Sequence, residues 1–256
     1  MRAATPVLLL RPLAGTMRLW GAFLDELVRH RPVIACHHRG VGGSPRATVA
    51  TSTRTMARDA ADLLDHLGVQ AHVFGLSLGG MVATWLAIDR PDLVRGLVLA
   101  STPARGTDAL RALAAPRSAE RGLRVVASLV RSEGEREAGL AEQVLSQRFR
   151  SAEPARTAQI LEQLRSDGGS LRGLLQHAAA AALHDASYDV ARVSAPTLCL
   201  AGALDELVRP SAIAALANVI PDARYDVIAE AGHDLSLEAP HELARRVVRF
   251  FGSLYN

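Results

Sequence analysis

Short unbroken apolar runs alternate along this chain with longer segments whose apolar residues recur at helical spacing, the contrast that separates buried strands from amphipathic helices. Residues 6–10 form the first apolar run, stopped by Arg11-Pro12, and 19–30 carry Leu19, Trp20, Phe23, Leu24, Leu27 and Val28 on one stripe. A second run at 33–36 leads into the glycine-rich stretch 37–44. Over 55–67, Met56, Ala60, Leu63, Leu64 and Leu67 share a face, and Gly68 is placed to end the helix. Ala71, Val73 and Phe74 predict a strand that passes through a sharp turn into a helix over 81–88, and a further strand follows at 97–100. From 102 to 189 there is no strand-like run. The segments there are rich in Ala, Leu, Arg and Glu and are broken by Pro116, Gly134, Pro154 and Gly168-Gly169, which predicts about four or five helices. Alternation resumes with a strand at 197–201, a helix near 211–217, a strand at 224–228 and a final helix over 240–251. Strands alternating with helices connect by right-handed crossovers. The expected class is therefore α/β, a mostly parallel, doubly wound sheet of about six strands with an inserted helical block.

The turn between the third strand and its helix reads Gly75-Leu76-Ser77-Leu78-Gly79-Gly80. Strand, sharp turn and helix around Gly-x-Ser-x-Gly is the context of a nucleophile elbow. The glycines suit it because neighbouring backbone crowds such a turn and a Cβ would clash. A serine hydroxyl needs a base, and of the nine histidines His233 is the best placed, in a loop just beyond the last strand. The imidazole in turn needs an acid. Asp205 follows the strand at 197–201, with Glu206 as its adjacent competitor. Each residue alone has a plain reading: a strand-to-helix turn, a surface histidine, a helix cap. Together they put three suitable groups beyond the same strand edge in the order Ser77, Asp205, His233, which fits the elbow architecture.

These motifs resemble those of the α/β-hydrolase family, and nearly the whole chain takes part. The likeness lies in residues 75–83, in Ala195-Pro196-Thr197-Leu198 running to Asp205, in Ala231-Gly232-His233, and in Leu237-Glu238-Ala239-Pro240. Arg39-Gly40-Val41-Gly42-Gly43-Ser44 matches the family's arginine-glycine turn, and no Lys-Ser/Thr follows it as a phosphate loop would require. Nearest in character are the small bacterial 3-oxoadipate enol-lactonases, haloperoxidase-like esterases and antibiotic-pathway methylesterases. The resemblance implies a core of 1–101 and 190–256, a helical cap at 102–189 over the active site, and an oxyanion hole made by the backbone N–H groups of Leu78 and Leu13.

The chain departs from the family in three places. Arg11-Pro12 stands where His-Gly is usual, and proline's fixed φ and missing N–H are expected to re-aim the loop carrying Leu13. Arg11 then either brings a positive charge to the pocket mouth, or faces solvent or a carboxylate. His37-His38 replaces an acidic start to the glycine turn. Adjacent strand-end side chains point opposite ways, so a shared metal is not expected, and His37 is a candidate substrate contact. The antiparallel hairpin that opens the family fold has no counterpart before residue 6, which leaves the strand near Val33 as a sheet edge open to pairing in a homodimer. His177 and His184, seven apart around an alanine run, read as one helical face that either packs on a neighbour or approaches a ligand.

Composition narrows the classes. The formal net charge is only +3, every one of the 29 basic residues is arginine, and these are scattered; with 4% aromatics, no nucleic-acid groove is expected. Cys36 and Cys199, the two cysteines, fall in apolar runs and read as buried strand residues in a reducing compartment. Neither a leader nor a membrane-spanning run is visible, so a cytoplasmic protein is expected. The resulting expectation is a serine hydrolase that opens a small-molecule carboxylic ester, lactone or enol-lactone without metal or cofactor. Elimination, cyclisation or acyl transfer on the same fold is the alternative, and a ligand-binding pseudoenzyme is a second.

Overall fold

The computed structural model describes residues 4–13, 15–45, 51–108, 139, 141–166 and 171–254. Six strands form one all-parallel sheet: β1 (Val7–Leu10), β2 (Val33–Ala35), β3 (Ala71–Leu76), β4 (Val94–Ala100), β5 (Thr197–Gly202) and β6 (Ala223–Ile228), in the order β2-β1-β3-β4-β5-β6. The order reverses at β1, so the carboxyl ends of β1 and β3 flank the crevice where an α/β sheet offers a site. β2 is short and half-buried at one edge. Cys36 lies one residue beyond it and is half-buried, so the expectation that this thiol belongs to a buried strand is corrected; Cys199 is fully buried in β5.

Alternation along the strands divides the core into two layers. Leu8, Leu10, Val73, Leu97, Leu99 and Cys199 face one side, where α2 (Thr53–Leu67), α3 (Leu78–Asp89) and a helix at Pro210–Val219 cover them. Val7, Leu9, Phe74, Leu76, Val98 and Leu200 face the other, beneath α1 (Gly21–Leu27) and the last helix, Pro240–Ser253. Between β4 and β5 lie α4 (Gln147–Ala152), α5 (Pro154–Ser166) and α6 (Leu171–Ala182), and further helical residues stand at 106–108 and 141–144. Most of the first half of the inserted block, with Pro116 and Gly134, lies outside the described residues. After β5 come α7 (Pro210–Val219), β6, a single turn α8 (Leu235–Glu238) and α9 (Pro240–Ser253). Hydrophobic periodicity does not detect α8, because four residues cannot display a period. Among the described residues no helix is long and apolar enough to cross a membrane.

Caps account for several boundaries. Ser52 accepts from the Thr55 N–H at the start of α2, two residues earlier than the apolar pattern implies, and Gly68 ends the helix with φ +64°. At the end of the inserted block, α6 stops at Ala182, so His184 lies beyond it and the shared helical face expected for His177 and His184 does not form. Both rings are nevertheless buried. His177 Nε2 donates to the Arg39 carbonyl at 2.9 Å, and His184 Nδ1 meets Thr53 Oγ1 at 2.9 Å, so each pins the block to the core. Burial pulls His184 down to about 4, and His177 is also held below the usual histidine range, so both are neutral at pH 7.

Candidate active site

β3 ends at Leu76 and α3 starts at Leu78, which leaves Ser77 alone to turn the chain. It does so with φ 55° and ψ −118°, a conformation that costs a non-glycine residue energy and lifts its side chain clear of the strand. The turn closes only because its neighbours lack side chains. A Cβ on Gly75 would lie 2.6 Å from Gly80 Cα, and one on Gly79 would overlap the Leu10 carbonyl and lie 2.7 Å from that of Arg11. The first turn of α3 therefore packs directly on the loop leaving β1. Leu78 opens α3, so its N–H has no acceptor within the helix, and the positive end of the helix dipole lies at Ser77.

His233 lies between β6 and α8. Its Nε2 is 2.8 Å from Ser77 Oγ and its Nδ1 is 2.9 Å from Asp205 Oδ2. These contacts assign the tautomer: Nδ1–H donates to the carboxylate, and Nε2 accepts the serine proton. Asp205 is held in turn, its Oδ1 accepting from the N–H groups of Leu207 (2.9 Å) and Val208 (2.8 Å). Asp205 is buried and Glu206 is exposed, so the acid position falls to Asp205. The acid loop and the histidine loop also touch through backbone: Leu204 N–H donates to the Ala231 carbonyl at 2.9 Å, and a Cβ on Gly202 would lie 2.9 Å from the same peptide carbon after overlapping two carbonyl oxygens. Burial acts most strongly on His233 and would lower its pKa. The charge and hydrogen bond of Asp205, with the charges of Asp234 and Glu238, outweigh it and hold the imidazole above its usual value.

Of the remaining sequence candidates, Leu13 stands half-buried in the turn after β1, the loop whose Arg11 carbonyl lies against Gly79. Of the readings left open for Arg11, the structure has the carboxylate pairing: the side chain is buried, stacks over Trp20 at 4.4 Å and pairs with Asp234 at 3.3 Å. His37 is half-buried and accepts from the Met17 N–H through Nε2 at 3.1 Å. Its neighbour His38 points the other way and donates from Nε2 to the Arg11 carbonyl at 3.1 Å. Among the described residues no hydrogen bond joins His37, His177 or His184 to Ser77 or His233.

Sequence reasoning missed the groups that hold the histidine loop. Glu238 accepts from Ser146 N–H (2.8 Å), Ser146 Oγ (2.6 Å) and Gly232 N–H (3.0 Å), fastening the residue before His233 to the start of α4. Asp234 N–H donates to the Val144 carbonyl at 2.8 Å, and its carboxylate caps α8. The stretch Leu237-Glu238-Ala239-Pro240 was the only signal for Glu238; its partner Ser146 is 92 positions away and carries none.

Comparison with known proteins gives the family of the fold. A family profile described as alpha/beta hydrolase fold matches residues 5–240. The chain belongs to the α/β-hydrolase fold family. "Putative carbamate hydrolase RutD" of Azorhizobium caulinodans is 37% identical over 110 residues, a match spanning 43% of this chain and 42% of that protein. The chain thus aligns with about two fifths of the length of that relative. "3-oxoadipate enol-lactonase 2" of Acinetobacter baylyi is 28% identical over 208 residues, 80% of this chain and 73% of the relative. Among solved structures, a thermophilic esterase from Thermogutta terrifontis superposes with a TM-score of 0.82 at 26% identity, covering 99% of this chain and 92% of its own.

Proposed function

We propose that this protein is a serine hydrolase that cleaves a carboxylic ester, lactone or enol-lactone through an acyl-enzyme. The observation that carries the reading is the unbroken chain Ser77 Oγ, His233, Asp205, with bonds of 2.8 and 2.9 Å. His233 Nε2 takes the serine proton as Oγ adds to the substrate carbonyl, and Asp205 holds the resulting imidazolium. The backbone N–H groups of Leu78 and Leu13 receive the negative oxygen. Collapse expels the alcohol or enol, which takes the proton from His233 and leaves an ester on Ser77. Water, deprotonated by His233, then releases the acid. In this reading residues 102–189 roof the site as a cap on the core of 1–101 and 190–256.

Elimination, cyclisation or acyl transfer loses its main structural motive once Arg11 is engaged with Asp234 rather than offered to substrate. Hydrolysis is checked by running p-nitrophenyl butyrate turnover in ¹⁸O-water. One ¹⁸O atom per butyrate released is expected, and butyrate free of label would overturn the hydrolytic step.

A further inference from the structure

The proposed reaction leaves a buried ion pair, Arg11 and Asp234, unused. Among the described residues Arg11 is one of the largest fully buried side chains, at 2% exposure, and taking a guanidinium out of water costs several kcal/mol unless its donors are well met. Groups from widely separated segments meet its two terminal nitrogens, while Nε, buried against Gly15, has no hydrogen-bond partner among the described residues. Nη2 donates to Asp234 Oδ2 at 3.3 Å, and Nη1 donates to Ser236 Oγ at 3.1 Å and to the Leu19 carbonyl at 3.3 Å. The Trp20 ring lies against the guanidinium, and Gly15 packs so closely that a Cβ there would lie 2.6 Å from Nε. The backbone of the same residue supports the elbow: its carbonyl accepts from His38 Nε2 and lies against Gly79 in the first turn of α3.

Arg11 therefore contacts the parts from which the site is assembled. It begins the loop that carries Leu13, its backbone abuts the helix that Ser77 starts, and its side chain grips Asp234, the residue after His233. Asp234 divides its carboxylate between two tasks. Oδ1 accepts from the Ser236 hydroxyl and from the Ser236 and Leu237 N–H groups at the head of α8, and Oδ2 is left for Arg11.

We propose that Arg11 is a positioning residue, whose guanidinium, braced between Trp20 and Gly15, locks the oxyanion loop to the His233 loop across the active site. The proposal rests on the triad reading above. It also has an electrostatic consequence. The charged groups that bear on His233 are Asp205, Asp234 and Glu238, and Arg11 compensates the second of them. Removing the guanidinium leaves Asp234 uncompensated beside the imidazole, which stabilises the imidazolium and shifts the onset of activity to higher pH. Removing the carboxylate shifts it lower. Loosened packing alone would not move the two profiles in opposite directions.

The test uses the full chain with p-nitrophenyl butyrate as probe, measuring kcat, KM and the pH midpoint of kcat/KM for the native protein, Arg11→Met, Arg11→Lys and Asp234→Asn. Arg11→Met is expected to lose ~100-fold in kcat with KM changed by less than ~3-fold, because a misplacement of about 1 Å between catalytic groups costs that much. Its pH midpoint rises by about half a unit, and that of Asp234→Asn falls. Arg11→Lys keeps the charge without the planar fork, so its midpoint stays native while kcat is recovered only in part. A folded Arg11→Met with native kcat overturns the proposal, as do midpoints that move together or not at all. Should Arg11→Met fail to fold, Arg11→Lys carries the test: ~10-fold lower kcat at an unshifted midpoint supports it, and native kcat overturns it. Turnover that survives Ser77→Ala would remove the triad reading itself. Ser77-dependent turnover that ignores every Arg11 variant would remove only the positioning role.

Discussion

Ser77→Ala lowers kcat on p-nitrophenyl butyrate by at least ~10³-fold while its unfolding transition stays close to that of the native protein. The two halves of this expectation have separate grounds. The Ser77 side chain makes no cap bond to α3, and its Oγ is engaged by His233 Nε2 at 2.8 Å. The backbone at this position is held independently: Ser77 N–H donates to the Ala100 carbonyl, and its own carbonyl accepts from Gly80, Met81 and Thr102 Oγ1. Removing the hydroxyl thus deletes the nucleophile and leaves the elbow in place. Alanine can occupy the same positive φ at about the cost serine already bears. Native turnover in this variant, measured by steady-state kinetics beside a urea melt, would sink the assignment.

Gly79→Ala is expected to do the reverse, costing ~3 kcal/mol or more in stability and abolishing activity with it. The added methyl has no room, since it would overlap the Leu10 carbonyl oxygen and lie 2.7 Å from that of Arg11, and backbone cannot rotate aside as a side chain can. To relieve the contact, α3 has to lift away from the loop after β1. That breaks the register of Ser77 with His233. Gly252→Ala in α9 is the matched control. Nothing lies within 4 Å of its Cβ, so the change is expected to stabilise the helix by roughly 0.5–1 kcal/mol. Equal urea midpoints for the two variants would show that the crowding at Gly79 is not real.

The elbow was legible in the sequence because everything that makes it is local: an apolar strand, a serine, and glycines at spacings set by the turn itself. Ser77, Asp205 and His233 could be ordered because each follows a strand, and parallel strands put their carboxyl ends on one edge. What the sequence did not show depends on contacts between distant segments. The partner of Arg11 is 223 positions away, so the reading left open whether it faced the pocket, solvent or a carboxylate. His177 and His184 look like one helical face only if the helix continues past Ala182, and a helix end with no capping glycine leaves no trace in hydrophobic spacing. α8 is too short to show a period, although Asp234 at its head, with Ser236 and Leu237 as donors, is a recognisable cap once located. Cys36 read as a strand residue because an apolar run says nothing about where the ladder of an edge strand stops.

The most direct test of the central claim is covalent. The protein is incubated with a fluorophosphonate at pH 8, and the adduct is located by peptide mass spectrometry. The account predicts one phosphonyl group per chain, on Ser77, with labelling slowed by at least ~10³-fold in His233→Ala because the hydroxyl then lacks its base. Ester turnover by a protein that takes up no label at Ser77, or takes it up elsewhere, would contradict it.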